Sequence, residues 1–461
     1  MIKLPDVQTT LPDGPLLTYY GDDFTGSTDL MEAFTASGIS TVLFLQLPRE
    51  EDLARFQHMR CIGLAGQSRG QNPEWMRGEL PEVFRQLAKI GAPILQYKVC
   101  STFDSSPTVG SIGQAIDLGI EAMQGKWSPM VVGAPRLKRY QVFGELFAGM
   151  HGVVYRIDRH PTMSRHPVTP MDEADLRVHL AKQTTRRIEL IDIAEISEGV
   201  GQTKLEHTMG EDQPVIMIDV TDTATQIEAG RLVWENRGKG VFSASSSGLQ
   251  YALTAYWRQQ GLLAATQSLP VASAVDCIAA VSGSCSPMSA EQLRWARQQG
   301  FEVVRLDIAR ALGEQSREQE IARQVAGALA ALARGVSPIV FSAEGPDDPA
   351  VVDFDLFASK AGLTRTEAAH TIGQVLAEIM RRILDGSDVR RFVVAGGDSS
   401  GAVGSHLGIR ALTLSAGLTP GVPLCRVWSD EAGRDGLEVA LKGGQLGGID
   451  FYGRVRSGCS S

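Results

Sequence analysis

The sequence predicts an α/β protein with two domains, each built on a mostly parallel sheet. The chain has 461 residues, which is too long for one ordinary hydrophobic core. Strand-like runs alternate with helical ones in both halves, a pattern typical of parallel α/β sheets. The alternation loosens around residues 260–273, where Gly261 and Pro270 lie among small residues. We therefore predict an N-terminal domain over residues 1–262, a C-terminal domain over residues 272–461, and an active site in the cleft between them.

In the first half, a strand at Leu16–Tyr20 leads through a tight turn into a helix over Asp29–Phe34 and a second strand at Thr41–Leu45. Such a βαβ unit places ligands in the crevice beyond the carboxyl end of its first strand. Further strands are predicted at Cys61–Ala65, Ile94–Lys98, Met130–Ala134, Gly152–Arg156 and Val215–Ile218, and further helices over Pro73–Lys89 and from Asp172.

The second half repeats the alternation. A capping box at Thr364–Glu367 opens a helix that runs towards Leu384. Another helix begins at Ser289, and strands are predicted at Cys277–Val281, Val303–Leu306, Pro338–Ser342 and Arg391–Ala395. The last third ends in short strands with many glycines.

The composition excludes several classes of function. Hydrophobic residues make up 43% and charged residues 21% of the chain, as in soluble globular proteins. The formal net charge is −9 and Lys and Arg form no block, so we expect neither nucleic acid nor a membrane as partner. Six scattered cysteines and the lack of a signal peptide predict a cytoplasmic protein without a zinc site or disulfide framework. Whether the chain forms a homo-oligomer is left open.

Two adjacent carboxylates, Asp22 and Asp23, follow the first strand in the stretch Gly21–Asp29. One of them is expected to cap the following helix. Two neighbouring carboxylates repel each other and a cap needs only one. The other acid is therefore available as a general base, or as a ligand for a hydroxylated substrate or a metal. Capping alone is the simpler interpretation of either residue.

A second polar loop follows the strand that ends at Lys98. It carries Ser101, Asp104 and Ser105 and leads through Gly110–Gly113 into a helix. A lysine, an aspartate and several hydroxyls suit a polyhydroxylated acid, with Lys98 for its carboxylate and Asp104 for its hydroxyls. Taken singly, the serines are better explained by a turn that caps a helix.

A third loop, over residues 158–171, brings basic residues just ahead of a helix start, among them Arg165 and His166. Pro167 and Pro170 fix its backbone, and such a site could hold a carboxylate or a phosphate. A lone His is usually structural, so His166 is a candidate only in company with the other loops.

Three glycine-containing loops in the second half could approach phosphate groups closely. Ser282–Pro287 and Ala395–Gly401 each lie between a strand and a helix, and Leu441–Gly448 adds Lys442. Small residues let backbone N–H groups turn towards phosphate oxygens, and a helix N-terminus adds positive potential. The first two match neither a Walker A nor a GxGxxG motif, and the third also fits a plain loop between strands. Together with the polar first half, these loops indicate phosphoryl transfer.

Five of these motifs occur in an order that resembles the four-carbon acid sugar kinase family. They are Asp22-Asp23-Phe-Thr-Gly, Lys98-x-Cys-Ser-Thr-Phe-Asp-Ser, His166-Pro-x-Thr-Pro-Met, Ser282-Gly-Ser-Cys-Ser and Gly396-Gly-Asp-Ser-Ser-Gly. That family comprises ATP-dependent kinases of 3-oxo-tetronates, threonate and erythronate, with a branched relative that acts on 3-oxo-isoapionate. The resemblance spans nearly the whole chain. It implies that the N-terminal domain holds the sugar acid and the C-terminal domain holds ATP.

By the same resemblance, the ATP contacts fall on Ser282, Ser284, Gly396, Gly397, Asp398, Ser399, and Gly443 or Gly444. The motifs also depart from the expected pattern. Gly21 and Ser27 stand where many relatives have alanine, Ser111 stands where asparagine is expected, and Ala134–Arg139 is unusually basic. These departures lie near the expected sugar site, so they bear on substrate identity more than on kinase activity. They favour slightly an unusual, branched acid.

We therefore predict an ATP-dependent kinase that phosphorylates a small C4 or branched C5 sugar acid on a terminal hydroxyl. Asp22 or Asp23 would deprotonate that hydroxyl, and Lys98 with Arg136 and Arg165 would hold the carboxylate. Mg²⁺ would arrive with the nucleotide rather than in a dedicated protein cage. The alternatives are a non-catalytic sugar-acid sensor, which would need no nucleotide loop, and a dehydrogenase, which the lack of GxGxxG after the first strand disfavours.

Overall fold

The computed structural model describes residues 10–150, 152–166, 168–264 and 269–458. They form two compact units, both α/β as predicted. Residues 10–42 and 47–264 belong to the first unit, and residues 43–46 and 269–458 belong to the second. The expected domain boundary spans residues 265–268, which lie outside the described residues, so its exact position stays a prediction.

Strands and helices alternate along most of the described chain. The strands are β1 (Leu17–Gly21), β2 (Thr41–Phe44), β3 (Cys61–Ala65), β4 (Ile94–Lys98), β5 (Ser128–Met130), β6 (Arg139–Val142), β7 (Glu145–Met150), β8 (Val153–Arg156), β9 (Ile188–Ile191), β10 (Val215–Ile218), β11 (Val241–Ser245), β12 (Ala279–Ser282), β13 (Glu302–Arg305), β14 (Pro338–Phe341), β15 (Arg391–Ala395), β16 (Ile409–Thr419), β17 (Val422–Ser429) and β18 (Glu438–Lys442). The helices are α1 (Phe24–Thr35), α2 (Glu50–Arg55), α3 (Pro73–Lys89), α4 (Ile112–Ile120), α5 (Leu176–Ala181), α6 (Ile193–Ser197), α7 (Gly201–Thr208), α8 (Thr223–Glu235), α9 (Gly248–Gln259), α10 (Pro287–Gln298), α11 (Ile308–Leu312), α12 (Arg317–Ala333), α13 (Pro349–Val352), α14 (Phe354–Lys360), α15 (Arg365–Asp385), α16 (Gly397–His406) and α17 (Phe451–Ser457).

The main sheet of the first unit has the strand order β11-β4-β1-β3-β2. β1 pairs in parallel with β3 and with β4, and β4 pairs in parallel with β11. Every residue of β1 and β4 is buried, as expected for a parallel sheet covered on both faces. Because these strands run in one direction, the residues that follow β1, β3 and β4 meet at one edge of the sheet.

Two smaller sheets complete the first unit. The predicted bounds of the strand at Met130–Ala134 were wrong. β5 pairs in parallel with β10 and ends at Met130. Beyond it, the N–H of Val131 donates to Ser245 Oγ over 2.9 Å, so the chain leaves the ladder for side-chain contacts with β11.

The strand predicted at Gly152–Arg156 exists as β8, but it belongs to an antiparallel sheet with the order β6-β7-β8. The sequence analysis did not predict this sheet. Phe143 and Gly144 turn the chain between β6 and β7, both with positive φ, at 50° and 81°. Asp219 supports the turn, because its Oδ1 accepts the N–H of Gly144 over 3.0 Å.

The sheet of the second unit has the order β16-β17-β18-β15-β12-β14-β13. The pairs from β18 to β13 are parallel, whereas β17 pairs antiparallel with both β16 and β18. The prediction of short strands in the last third was wrong for β16 and β17, which have 11 and 8 residues. A core that includes Ile278, Leu293, Ile339 and Tyr452 packs against this sheet.

Most helix starts follow capping side chains. Thr364 and Glu367 form the predicted capping box at the start of α15. The helix predicted from Asp172 begins later, at Leu176, because Asp175 caps it by accepting the N–H of Arg177. The loop predicted at Ala395–Gly401 is shorter than expected, since α16 already begins at Gly397.

Within the described ranges, no helix combines the length and apolar character needed to span a membrane. The five described cysteines are free, and Cys459 lies outside the described residues. The same residues contain no group of three or more His, Cys, Asp or Glu side chains placed to hold a metal ion.

Candidate active site

The two adjacent acids at the end of β1 share one guanidinium group. Arg69 lies in a 3₁₀ turn, Ser68–Gly70, after β3. It donates from Nε to Asp22 Oδ2 over 3.0 Å and from Nη2 to Asp22 Oδ1 over 2.7 Å. It also donates from Nη1 to Asp23 Oδ2 over 2.8 Å and from Nη2 to Asp23 Oδ1 over 3.0 Å. Paired bonds of this kind fix the orientation of both carboxylates.

The structure distinguishes the capping acid from the surplus acid. Asp23 Oδ1 accepts the N–H of Gly26 over 2.7 Å, so Asp23 caps α1, as was predicted for one of the pair. Asp22 is the surplus acid, and it is only 3% exposed. Burial raises the pKa of Asp22 above its usual value, although Arg69 offsets part of this effect. A raised pKa strengthens Asp22 as a proton acceptor.

A second cation, Lys98, is buried at the end of β4 beside this pair. Its Nζ donates to the carbonyl oxygen of Val99 over 3.1 Å and lies 3.5 Å from Asp29 Oδ2. A Cβ on Gly26 would lie 3.3 Å from Lys98 Nζ and 3.6 Å from Arg69 Nη2. Gly26 therefore leaves room for both cations at the start of α1.

The loop between β4 and α4 contains the buried carboxylate of Asp104. Thr102 Oγ1 donates to Asp104 Oδ1 over 2.5 Å, and Cys100 Sγ lies 2.8 Å from the same hydroxyl. Burial alone would raise the pKa of Asp104, but the charge of Arg69 and the bond from Thr102 lower it below its usual value. An ionised Asp104 near Arg69 is suited to accept hydrogen bonds from substrate hydroxyls.

The two serines of this loop differ in their surroundings. Ser105 is 2% exposed, and its Oγ donates to the carbonyl oxygen of Phe103 over 3.0 Å. The same oxygen accepts from Gln183 Nε2 over 2.9 Å and lies 3.0 Å from His179 Nε2. These contacts connect the loop to α5 and explain Ser105 as a structural residue. Ser101 is half-buried in the turn that precedes Thr102.

His166 follows a 3₁₀ turn over Met163–Arg165. Its Nδ1 accepts the N–H of Thr169 over 3.1 Å, so the neutral ring carries its proton on Nε2. Arg165 is exposed, and Pro167 lies outside the described residues.

The basic residues from Arg136 to Arg139, the first residue of β6, lie in two different environments. Arg136 is exposed, with its guanidinium carbon 6.0 Å from the centre of the Tyr251 ring. Arg139 donates from Nη1 to the carbonyl oxygen of Leu137 over 3.1 Å, whereas its buried Nε has no partner in the described part of the chain. Burial lowers the pKa of Arg139. A desolvated guanidinium of this kind gains from pairing with an anion.

In the second unit, the predicted ATP contacts Ser284 and Gly444 lie side by side. Ser286 caps α10 and donates from Oγ to the carbonyl oxygen of Gly444 over 2.5 Å. Ser289 donates to Ser284 Oγ over 2.9 Å. A Cβ on Gly444 would lie 2.7 Å from Ser284 Oγ, so this approach requires glycine. Ser282, by contrast, is fully buried at the end of β12.

The start of α16 offers free backbone donors. The helix begins at Gly397, after Gly396 at a φ of 117°, and no side chain caps it within the described residues. The first N–H groups, those of Gly397, Asp398 and Ser399, therefore point out of the helix. A Cβ on Gly396 would lie 3.3 Å from the backbone nitrogen of Ser284, so this loop touches the one after β12. Together they form a site suited to phosphate.

Lys442 is a buried cation that contacts Ser289 and the loop around Gly444. Its Nζ donates to the carbonyl oxygens of Gly443 and Gly444 over 3.0 and 3.2 Å and to Ser289 Oγ over 3.3 Å. Burial lowers its pKa to about 8. A bound phosphate would stabilise the charged form, because an opposite charge nearby favours it.

Arg69 is the important residue that the sequence analysis missed. It follows β3 directly, within Gln67–Gly70, and therefore stands at the same sheet edge as the acids after β1. The signal was its position, since every loop after a parallel strand is a candidate for ligand binding.

The first unit carries a cluster of acids and cations suited to a polar acid, and the second carries loops suited to phosphate. Residues 17–253 match the model of a sugar-binding N-terminal domain, and residues 279–452 match that of a nucleotide-binding C-terminal domain. The chain therefore belongs to the four-carbon acid sugar kinase family, and it is a sugar-acid kinase. Neither alternative interpretation, a sensor or a dehydrogenase, agrees with this membership.

Two curated relatives cover nearly the full chain. The 3-oxo-isoapionate kinase of Paraburkholderia graminis is 62% identical over 450 residues, which cover 98% of this chain and 96% of the relative. The 3-oxo-tetronate kinase of Methylobacterium radiotolerans is 31% identical over 439 residues, which cover 94% of this chain and 97% of the relative.

Solved structures share the fold. A Salmonella typhimurium LT2 protein, provisionally described as a tRNA synthase, has a TM-score of 0.76 at 23% identity, covering 95% of this chain and 98% of that one. The Haemophilus influenzae protein HI1011 has a TM-score of 0.70 at 22% identity, covering 95% and 99%. At these identities the matches show the fold alone.

Proposed function

We propose that this chain transfers the terminal phosphoryl group of ATP to a hydroxyl of a branched sugar acid, 3-oxo-isoapionate. The observation that carries this proposal is the joint placement of Asp22, Asp23, Arg69 and Lys98 at the carboxyl edge of the first unit's sheet. The 62% identical relative supports the branched acid over the unbranched 3-oxo-tetronates.

Asp22 acts as the general base. It takes the proton of the substrate hydroxyl while the oxygen of that hydroxyl forms a bond to the terminal phosphorus, and the bond from that phosphorus to the leaving ADP oxygen breaks. Arg69 holds Asp22 by two hydrogen bonds and so fixes the direction of its free lone pairs. Asp23 positions the start of α1 and shares Arg69.

The carboxylate of the acid binds to cations of the first unit. Lys98 lies beside the acids, and Arg139 offers a buried Nε that no described residue satisfies. Arg136 and Arg165 are exposed and contribute at the edge of the site. Asp104, with Ser101 and His166, receives the remaining hydroxyl and oxo groups.

The nucleotide phosphates bind at the start of α16 and on the loops around Ser284 and Gly444. Free N–H groups, a helix N-terminus and the nearby charge of Lys442 suit a polyphosphate. Mg²⁺ would be held by the nucleotide phosphates rather than by a group of protein side chains, and it would supply positive charge to them. A location in the cytoplasm, self-association, and an active site between the two units stay predictions.

The test is a screen of ADP release with the purified chain, ATP and Mg²⁺. Candidate acceptors are 3-oxo-isoapionate, 3-oxo-tetronates, threonate and erythronate, with neutral threitol as the matched control for the carboxylate. We expect the highest kcat/KM on 3-oxo-isoapionate and no turnover of threitol. Equal rates on threonate and threitol would refute the acid requirement, and higher kcat/KM on an unbranched 3-oxo-tetronate would refute the branched substrate.

A further inference from the structure

A pair of buried tyrosines contacts the turn that carries Arg69. Tyr20 of β1 and Tyr97 of β4 are partners in the parallel ladder, and they are 4% and 0% exposed. Their rings stack with centres 5.9 Å apart and planes inclined by 10°. Phe84 of α3 packs edge-on against both rings, with its centre 6.2 Å from each. These contacts leave the two phenol rings little freedom to move.

Both phenol hydroxyls reach the two residues that precede Arg69. Tyr97 Oη lies 2.8 Å from the hydroxyl oxygen of Ser68, a residue that is fully buried. Tyr20 Oη accepts the N–H of Gln67 over 3.3 Å. The tyrosine pair therefore holds the backbone from which the Arg69 side chain extends.

The turn also has close contacts with the backbone around it. A Cβ on Gly66 would lie 2.0 Å from Tyr20 Cζ, so the chain can cross this ring only with glycine there. The N–H of Arg69 donates to the carbonyl oxygen of Asp22 over 2.9 Å. A Cβ on Gly110 would lie 2.4 Å from the carbonyl oxygen of Arg69, so the loop before α4 packs closely against the turn. Contacts from β1, β4 and this loop together fix the backbone of the turn.

The orientation of Arg69 depends on this support. Without the Tyr97 hydroxyl, the buried hydroxyl of Ser68 loses its 2.8 Å contact, and a buried polar group that loses a hydrogen bond is costly. The turn can recover the bond only by shifting, and Arg69 is the next residue. Arg69 makes four hydrogen bonds to the carboxylates of Asp22 and Asp23, and such bonds weaken steeply when their angles change.

Arg69 is the charged group whose movement would change Asp22 most. Burial raises the pKa of Asp22, and among the described charged groups Arg69 lowers it most. Asp23 raises that pKa, and Lys98 lowers it to a smaller extent. Burial raises the pKa of both tyrosines, so they face Asp22 as neutral hydroxyls. The groups that face Arg69 itself from the loop after β4 are Asp104 and Cys100. A displaced guanidinium would therefore raise the pKa of Asp22 further.

We propose that Tyr97 and Tyr20 are positioning residues of this kinase. Their hydroxyls hold the turn so that Arg69 keeps its paired bonds to Asp22, which stays oriented and charged as the proton acceptor. Both tyrosines are buried and act through Arg69 rather than on the substrate. The proposal rests on the proposed function, in which Asp22 is the general base.

The test is the pH dependence of kcat/KM for 3-oxo-isoapionate in the wild-type chain and in Tyr97→Phe. Asp22 must be ionised to accept the proton, so kcat/KM falls as pH drops through the pKa of Asp22. In Tyr97→Phe this acid limb should move to higher pH by about half a unit, and kcat above the limb should fall about three- to tenfold. Tyr20→Phe should shift the limb in the same direction by less, because its hydrogen bond is longer.

Tyr256→Phe is the matched control. Tyr256 is 5% exposed, and its Oη donates to Glu235 Oε1 over 2.5 Å, between α9 and α8. The change removes one hydrogen bond of a buried tyrosine without touching the turn, so the acid limb should stay in place. A wild-type profile in Tyr97→Phe would overturn the proposal. A lower kcat with an unshifted limb would also overturn it, because a purely structural role predicts that result.

Coupling to Arg69 is measured separately by urea unfolding of Tyr97→Phe, Arg69→Lys and the double variant. Lysine cannot make the paired bonds, so removal of the Tyr97 hydroxyl should cost less stability in that background. Additive losses would overturn the positioning role, whether or not the chain is active. If the wild-type chain releases no ADP with any sugar acid, the proposed function fails, and this cycle still decides the role of the tyrosines.

Discussion

Gly21 and Ser27 depart together from the pattern that the family resemblance led us to expect, and the structure explains them as one compensating pair. A Cβ on Gly21 would lie 1.9 Å from Ser27 Oγ and 2.9 Å from Ser27 Cβ. Ser27 is fully buried, and its Oγ donates to the carbonyl oxygen of Asp23 over 2.7 Å. The Ser27 hydroxyl thus fills the space that an alanine at position 21 would take.

The single and double substitutions should therefore be strongly non-additive. Gly21→Ala forces a methyl group into an occupied space and should cost about 1–3 kcal/mol of unfolding free energy. Ser27→Ala loses one hydrogen bond of a buried hydroxyl and should cost about 1 kcal/mol. In the double variant the clash with Oγ is gone, whereas the approaches of 2.9 Å to the Cβ of residue 27 and 3.2 Å to the carbonyl oxygen of Asp23 remain. We expect a coupling energy of about 1–2 kcal/mol that favours the double variant.

The assay is urea unfolding of the wild-type chain, both single variants and the double variant, analysed as a double-mutant cycle. Because neither change alters a charged group of the site, the preference among acid substrates should be the same in all four proteins. Additive losses within about 0.3 kcal/mol would show that the pair is not coupled. A change of preferred acid in the double variant would contradict the packing explanation. It would indicate instead that these two residues help to select the substrate.

Three further predictions concern individual residues. Gly397→Val should weaken ATP binding in calorimetry while acid binding is unchanged, because bulk at the start of α16 blocks backbone approach to phosphate; unaltered ATP affinity in a folded variant would contradict this. Lys98→Met should raise the KM for the acid far more than that for ATP, with exposed Lys89→Met as the control; equal effects would remove Lys98 from the acid site. The pKa of Lys442 is about 8 in the folded chain against 10.5 for an ordinary lysine, so the unfolded chain binds more protons between these values. Stability of the nucleotide-free protein should therefore gain up to about 3 kcal/mol from this group as pH rises from 8 to 10.5. Urea unfolding of Lys442→Met should lack that gain, and an identical pH profile would refute the assignment.

The limits of strands and helices could be predicted from the sequence where residue pattern and flanking turn residues indicate the same boundary. Glycine and proline bound the alternating segments, so the predicted limits of β3, β4, β15 and α3 match the structure. The sequence predicted that one of the two adjacent acids caps the helix and that the other is free for another role. The structure was needed to show that Asp23 is the cap.

Other features depend on contacts between distant parts of the chain. Arg69 is 47 positions from Asp22, and its place after β3 marks it as a candidate for ligand binding without indicating which residue it pairs with. The β6–β7 hairpin was missed because its turn is Phe143-Gly144, with φ values of 50° and 81°, rather than the usual Asn-Gly. In the sequence, Gly21 and Ser27 are two independent departures from the expected pattern. The structure shows that a Cβ at position 21 would overlap the hydroxyl of Ser27, so the two departures are coupled.

The most direct test of the central claim compares Asp22→Asn with Asp23→Asn in phosphoryl transfer to 3-oxo-isoapionate under saturating ATP and acid. Asparagine still caps a helix but cannot accept the proton. The account predicts that Asp22→Asn loses on the order of 10²-fold or more in kcat while the chain stays folded and binds both substrates, whereas Asp23→Asn loses much less. Near-normal turnover by Asp22→Asn would place the base elsewhere and contradict the account.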